Sequence, residues 1–223
     1  MRVLTWNLYH GRSRPSSGRP LLNEFAAALD GWSWDVALLQ EVPPWWPGPL
    51  AAAAGASART ALTSRNQLLP LRRAIAARNP DLITAHGGGC NAILVRGGAV
   101  TDHRVLELTR RPERRVAHGV ALGAAGWVVN LHASTHPPEQ VAADVAAAAA
   151  AARRWSAGAP LVLGGDLNTT APDLPDLVHV AGHHVDHVLT DGGGGTSELL
   201  DAGPLSDHRP LRADVRGKGD SPP

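Results

Sequence analysis

Apolar stretches in this chain repeatedly stop on a polar residue able to do chemistry, and this restricts its fold more than any other feature. Thr5-Trp6-Asn7, Leu39-Gln40-Glu41, Asn130-Leu131-His132 and Gly165-Asp166-Leu167-Asn168 each close an apolar run with Asn, Glu, His or Asp. The last structured segment, Ser206-Asp207-His208-Arg209, opens the run Leu211 to Val215 in the same manner. An acid or imidazole is not buried cheaply without a partner. Such residues fit the ends of buried strands, where one sheet edge projects polar groups into a site.

The pattern along the chain agrees with strands alternating with helices. Val3 to Asn7 reads as a strand, Leu21 to Leu29 repeats apolar residues at helical spacing, and Trp34 to Leu39 reads as a strand buried on both faces. Pro49 to Ala58 and Thr63 to Ala77, the latter broken by Pro70, read as helices. Asn91 to Val95, Ala99 to Leu108, Arg114 to Leu122 and Trp127 to Leu131 are β-rich, with Gly97-Gly98 and the Gly123 to Gly126 stretch as hairpin punctuation. Glu139 to Trp155 is a helix, followed by strands Leu161 to Leu163, His184 to Leu189 and Leu211 to Val215. Gly192 to Gly195 is a loop. No repeat or linker divides the chain, so one layered α/β domain over 1–216 is expected. The tail 217–223, GKGDSPP, lacks apolar residues and is expected to be disordered.

Composition removes several alternatives. A chain of 223 residues with 43% hydrophobic content can bury one large core, and no apolar run is long enough to cross a bilayer. The N-terminus enters a strand at once, so no secretory leader is expected. A single cysteine, Cys90, excludes an intramolecular disulfide and a thiolate cluster, which makes a reducing cytoplasm the default. Net charge is +1, so the chain as a whole does not attract nucleic acid or anionic membrane.

The strand-end residues suggest a reaction. Strand alternation puts Asp166 and Asn168 on one side, with Leu167 turned to the core. Asn7, Glu41 and Asp207 offer oxygen ligands, which suit Mg²⁺ or Mn²⁺ rather than Zn²⁺. A magnesium ion with His and Asp beside it is equipment for hydrolysing a phosphate ester.

The ordered series TWN, LLQEV, NLHAS, GGDLN, VDHVL and SDHRPL resembles the endonuclease/exonuclease/phosphatase superfamily, the deoxyribonuclease-I-like fold. The resemblance runs from Asn7 to His208 and implies a four-layer α/β sandwich, two packed mixed β-sheets flanked by helices. It implies Asn7 and Glu41 as metal-side residues and Asp207 as an acid near the metal. Asp166 matches the group that orients or deprotonates water, and Asn168 the amide that positions water and phosphate. His208 matches the histidine on the scissile phosphate, and Asp186 its orienting carboxylate. His132 matches the second histidine of the deoxyribonuclease, sphingomyelinase and inositol-phosphatase branches, where abasic-site endonucleases usually carry tyrosine. The glutamate that supports this histidine in deoxyribonuclease I has no evident counterpart. The implied activity is Mg²⁺-dependent phosphodiester hydrolysis, with nucleic acid among the possible substrates, by a monomer without a transmembrane segment. A phosphomonoester or a lipid head group is the alternative substrate, and a non-catalytic scaffold the alternative role.

Each residue also has an ordinary reading. Asn7 alone could cap a strand, Glu41 could be a solvated loop acid, Asp166 and Asn168 could form an Asx turn, and Asp207-His208 could cap the last strand. His183, His184, Asp186 and His187 suggest a second metal cluster, but Asp186 inward and His187 outward is the better account. His10, His86, His103, His118, His136 and His179 read as surface or structural. Asn91 could contact phosphate or sit in a turn. Arg110, Arg111, Arg114 and Arg115 read as a solvated hairpin before a phosphate contact, and Arg115 is the one preferred for that contact. Trp45-Trp46 reads as packing before base or lipid contact.

Overall fold

The computed structural model describes residues 1–63, 66, 68–82 and 89–217. His86 and the tail beyond Gly217 lie outside the described residues. In chain order the elements are β1 (Arg2–Asn7), α1 (Leu22–Gly31), β2 (Val36–Val42), α2 (Pro47–Ala53), β3 (Ala56–Leu62), α3 (Leu69–Ala76), β4 (Cys90–Arg96) and β5 (Asp102–Thr109). They continue as β6 (Arg115–Ala121), β7 (Trp127–His132), α4 (Pro138–Ser156), β8 (Leu161–Asp166), β9 (Val178–His183), β10 (Asp186–Thr190), β11 (Gly195–Leu199) and β12 (Leu211–Val215).

The strands form two six-stranded sheets, ordered β11-β12-β1-β2-β4-β3 and β5-β6-β7-β8-β10-β9. Each is mixed because each contains one parallel pair, β1 with β2 and β7 with β8. Parallel neighbours need a long crossover, and α1 and α4 supply the two. Val3, Leu38, Ile93, Val120, Val128 and Val188 meet between the sheets. Leu4, Trp6, Phe25, Leu29 and Leu50 bury the outer face of the first sheet under α1 and α2. Leu131, Val145, Ala148, Ala152 and Leu163 do the same under α4. Helix, sheet, sheet and helix make the expected four layers. Each fully buried Leu, Ile, Val or Phe contributes roughly 1.5–3 kcal/mol.

Polar groups interrupt the inter-sheet core at one level. The Gln40 amide nitrogen donates to Asn130 Oδ1 at 2.8 Å, and Asn130 Nδ2 donates to the carbonyls of Leu39 at 2.9 Å and Ala92 at 3.0 Å. These bonds tie the second sheet to the first immediately beneath Glu41 and His132.

The strand assignment differs from expectation at the margins. Helix α2 ends at Ala53, and residues 56–62 form β3 rather than more helix. Val178–His183 and Gly195–Leu199 are also strands. All three occupy sheet edges, where one solvated side removes the apolar signature. Pro70 stands in the first turn of α3 and does not break it, since proline lacks only an N–H that is unbonded there. Gly97-Gly98 carries the chain from one sheet to the other, whereas 123–126 is the expected β6–β7 hairpin.

Candidate active site

Sheet register assembles the site. Asn7 pairs beside Gln40 across β1 and β2, His132 beside Asp166 across β7 and β8, and Asp186 beside Asp166 across β10 and β8. Asp166 is the hub. Its Oδ2 accepts from Asn7 Nδ2 at 2.9 Å and lies 3.6 Å from His132 Nε2 and 3.9 Å from His208 Nε2. Its Oδ1 accepts the Asn168 N–H at 3.1 Å, so the Asx turn exists and the acid still faces the cleft. Gly165 has φ +137, and a Cβ there would stand 1.9 Å from the Leu131 carbonyl oxygen. Only glycine lets β8 approach β7 closely enough to place Asp166.

His208 lies in the loop before β12 and is held at several points. Trp6 Nε1 donates to its carbonyl at 3.0 Å, and Ser206 Oγ accepts its N–H at 3.1 Å while donating to the Asn7 carbonyl at 2.6 Å. Its Nδ1 donates to Asp186 Oδ2 at 2.7 Å. Glu41 sits at an irregularity in the β2–β4 ladder with φ +50. That turn aims its Oε2 at His10 Nε2, 3.1 Å away, and its Oε1 at His132 Nε2, 3.9 Å away. Asp207 is at the rim, 3.8 Å from Arg14. Asn168 donates Nδ2 to the Ala133 carbonyl at 3.0 Å. Asn91 is a fully buried strand residue rather than a turn residue. Its Nδ2 reaches the Val116 carbonyl at 3.4 Å, and its Oδ1 has no hydrogen-bond partner among the described residues.

Arg115 is buried, paired with Glu113 at 2.6 Å, and its charge acts on both Glu41 and His132. The solvated-hairpin reading fits its neighbours, since Arg110 and Arg114 both bind Glu107 at 2.9 Å. Trp46 packs on Phe25 with ring centroids 5.4 Å apart, whereas Trp45 is only partly buried.

Electrostatics divide the titratable groups. Burial, then the charge of Asp166, pushes Glu41 up to about 7. Burial also raises Asp186 to about 6. Burial opposes a proton on His208, but the Asp186 hydrogen bond and the charges of Asp186, Asp166 and Asp207 outweigh it and lift His208 to about 9. His132 is held well below the usual imidazole range by burial, then by Arg115, His208 and His10. These shifts favour a neutral His132 and a protonated His208 at neutral pH.

Two residues escaped the sequence reading. His10 is mostly buried and contacts Glu41 rather than lying at the surface. Ser206 fastens the β12 loop to β1 with φ +66. His187 faces away from the site but is buried, with Nε2 donating to the Thr169 carbonyl at 2.8 Å and Nδ1 2.9 Å from His179 Nε2.

The donor set suits a hard cation. Carboxylate oxygens of Asp166 and Asp186 lie within 4.8 Å of each other beside His208, which when protonated is a neighbour and not a ligand, and Asp186 Oδ1 is buried without a hydrogen-bond partner among the described residues. Glu41 and the Asn7 amide add oxygen donors beside them. Convergent carboxylates whose ionisation is suppressed by burial gain most from a divalent ion.

A two-sheet sandwich with acids, amides and two imidazoles gathered at one edge is the architecture of a phosphoric ester hydrolase. The chain belongs to the Endonuclease/Exonuclease/phosphatase family, whose model matches residues 4–208. Members are phosphoric ester hydrolases and generally depend on divalent metal. Similar solved structures include an endonuclease/exonuclease/phosphatase from Beutenbergia cavernae, at 21% identity and TM-score 0.73, covering 98% of this chain and 72% of that one. A mannosyl-6-phosphatase from Bacteroides thetaiotaomicron is similar at 13% identity and TM-score 0.71, covering 96% and 98%. A truncated Caenorhabditis elegans TDP2 is similar at 18% identity and TM-score 0.66, covering 95% of each chain. No curated protein sequence matches. Among the described residues, no helix is long and apolar enough to cross a membrane.

Proposed function

We propose that the protein hydrolyses phosphodiesters by in-line attack of water, with Mg²⁺ as the preferred divalent ion. The supporting observation is Asp166, bonded to Asn7 at 2.9 Å and within 3.9 Å of two imidazoles, His132 and His208. Asp166 orients the attacking water and takes its proton. His208 as imidazolium faces the growing negative charge on phosphorus oxygens, and Asp186 keeps it protonated. His132, being neutral, offers a hydrogen bond but not a free proton. Of the two imidazoles, His208 is thus the one able to protonate a leaving oxygen. Arg115 and Asn168 line the phosphate path, and Asn91 is buried behind Arg115 against the Val116 carbonyl. Glu41, Asn7 and Asp207 would hold the divalent ion, which supplies charge neutralisation at the phosphate.

Bis(p-nitrophenyl) phosphate tests this. Wild type should turn over with Mg²⁺ and stop with chelator. Asp166→Ala and His208→Ala should each lose about 10²–10⁴-fold in kcat, with little change in Tm. Wild-type rates in either variant would refute the assignment. The similarity to a mannosyl-6-phosphatase supports a second reading, a phosphomonoesterase, and faster hydrolysis of p-nitrophenyl phosphate than of the diester would favour it. Failure to bind Mg²⁺ by calorimetry would favour a scaffold.

A further inference from the structure

A cavity of about 310 Å³ opens directly beside Asn168. Its two walls are the loops after β7 and β8, and its back is the first turns of α4. The volume lies at the lower end of the roughly 300–1,000 Å³ typical of small-ligand sites, enough for one ring and not for a chain of residues. Val141, Ala142 and Val145 line the α4 side with apolar groups, while Thr135, His136, Asn168, Thr169 and Asp173 contribute polar ones.

Both walls are fixed in place. The Asn168 amide ties them together through the Ala133 carbonyl at 3.0 Å. His187 holds the second wall from below through the Thr169 carbonyl. Because that carbonyl accepts, Nε2 of His187 carries the proton and Nδ1 accepts from His179. The first wall hangs on Asp144, whose Oδ2 accepts the Ser134 N–H at 2.9 Å. A cavity held open in this way spends little free energy on ordering when it is filled.

We infer that this cavity receives an uncharged, ring-sized organic substituent carried by the phosphate, a nucleobase or an aryl ring, and so sets substrate class. The inference rests on the site being a phosphate centre. Among the described residues no arginine or lysine lines the cavity, and the Asp173 carboxylate in its lining opposes a second phosphate. Apolar side chains on one side with hydrogen-bonding groups around them fit a flat ring with polar edges. The phosphate itself has separate provision. A neighbouring cavity of about 240 Å³ shares Thr135 and His136 and contains Arg115, whose buried Nε has no hydrogen-bond partner among the described residues.

The test is calorimetric titration with phenylphosphonate and methylphosphonate in Mg²⁺, for wild type, Ala142→Trp and Ala171→Trp. Ala142 on the α4 back and Ala171 on the wall after β8 are both exposed, so either tryptophan fills the cavity from the surface, and one variant serves if the other misfolds. Wild type should bind the phenyl compound at least tenfold more tightly, and the variants should reduce that preference to about twofold or less. Equal affinities in wild type, absence of binding, or a preference that survives both tryptophans would overturn the inference. Loss of the phosphodiesterase reading shows separately, as absent turnover of bis(p-nitrophenyl) phosphate.

Discussion

His132 and His208 lie on either side of one carboxylate and differ in charge because their surroundings differ. His132 faces Arg115, His10 and His208 from a buried strand end, whereas His208 has a carboxylate 2.7 Å from its Nδ1. The pH dependence follows. His208 keeps its proton up to about 9, so kcat/KM should fall on the alkaline side as that proton leaves. Asp186→Asn removes the hydrogen-bonded charge that raises His208 and leaves burial, which lowers it. The alkaline limb should therefore move to lower pH, with the rate at pH 8 falling more than the rate at pH 6. A pH profile with an unmoved limb would rule out an orienting role for Asp186. The residues that form this arrangement were legible because apolar strands ending in acids and imidazoles have no packing explanation. His10 and Ser206 were not, since both act through backbone turned to positive φ (54 and 66), which neither residue type announces. Their charge states were not legible either, because burial and neighbours decide them.

At the scale of elements, the site depends on the two sheets keeping one relative position. Glu41 belongs to the first sheet and His132 to the second, and the Gln40–Asn130 bonds lie one and two residues behind them. Asn130→Ala leaves the Gln40 amide without this acceptor and two carbonyls without their side-chain donor, at a cost of about 1–3 kcal/mol for each group left unsatisfied. Denaturant unfolding should show a loss of about 3 kcal/mol, with catalysis impaired beyond the unfolded fraction. A variant as stable and active as wild type would mean that apolar packing alone sets the register. Central strands were readable from their continuous apolar runs. The strands β3, β9 and β11 were not, because an edge strand such as Ala-Ser-Ala-Arg-Thr-Ala-Leu is solvated and carries little branched apolar surface.

For the whole molecule, the groups that titrate differently when folded pull stability in opposite directions with pH. Glu41 and Asp186 are raised by burial, so the folded chain keeps protons that the unfolded chain has released, and stability falls as pH rises through about 4 to 7. Divalent ion should cancel this cost, and the gain in Tm from Mg²⁺ should grow over that interval. His118 works in the reverse sense. It is fully buried in β6 against His103, with ring centroids 4.8 Å apart, and neither of its ring nitrogens has a hydrogen-bond partner among the described residues. Burial, then His103, depresses it to about 3 from 6.5. Between those values the unfolded chain binds a proton that the folded chain refuses, so stability is lost as pH falls below 6.5, by up to about 1.4 kcal/mol per pH unit. His118→Leu removes the titration and two unsatisfied polar atoms. Its stability at pH 7 should equal or exceed that of wild type, and its advantage should widen steadily as pH drops toward 4. Parallel stability curves for the two proteins in chelator would show that His118 finds a partner for its proton in the folded state.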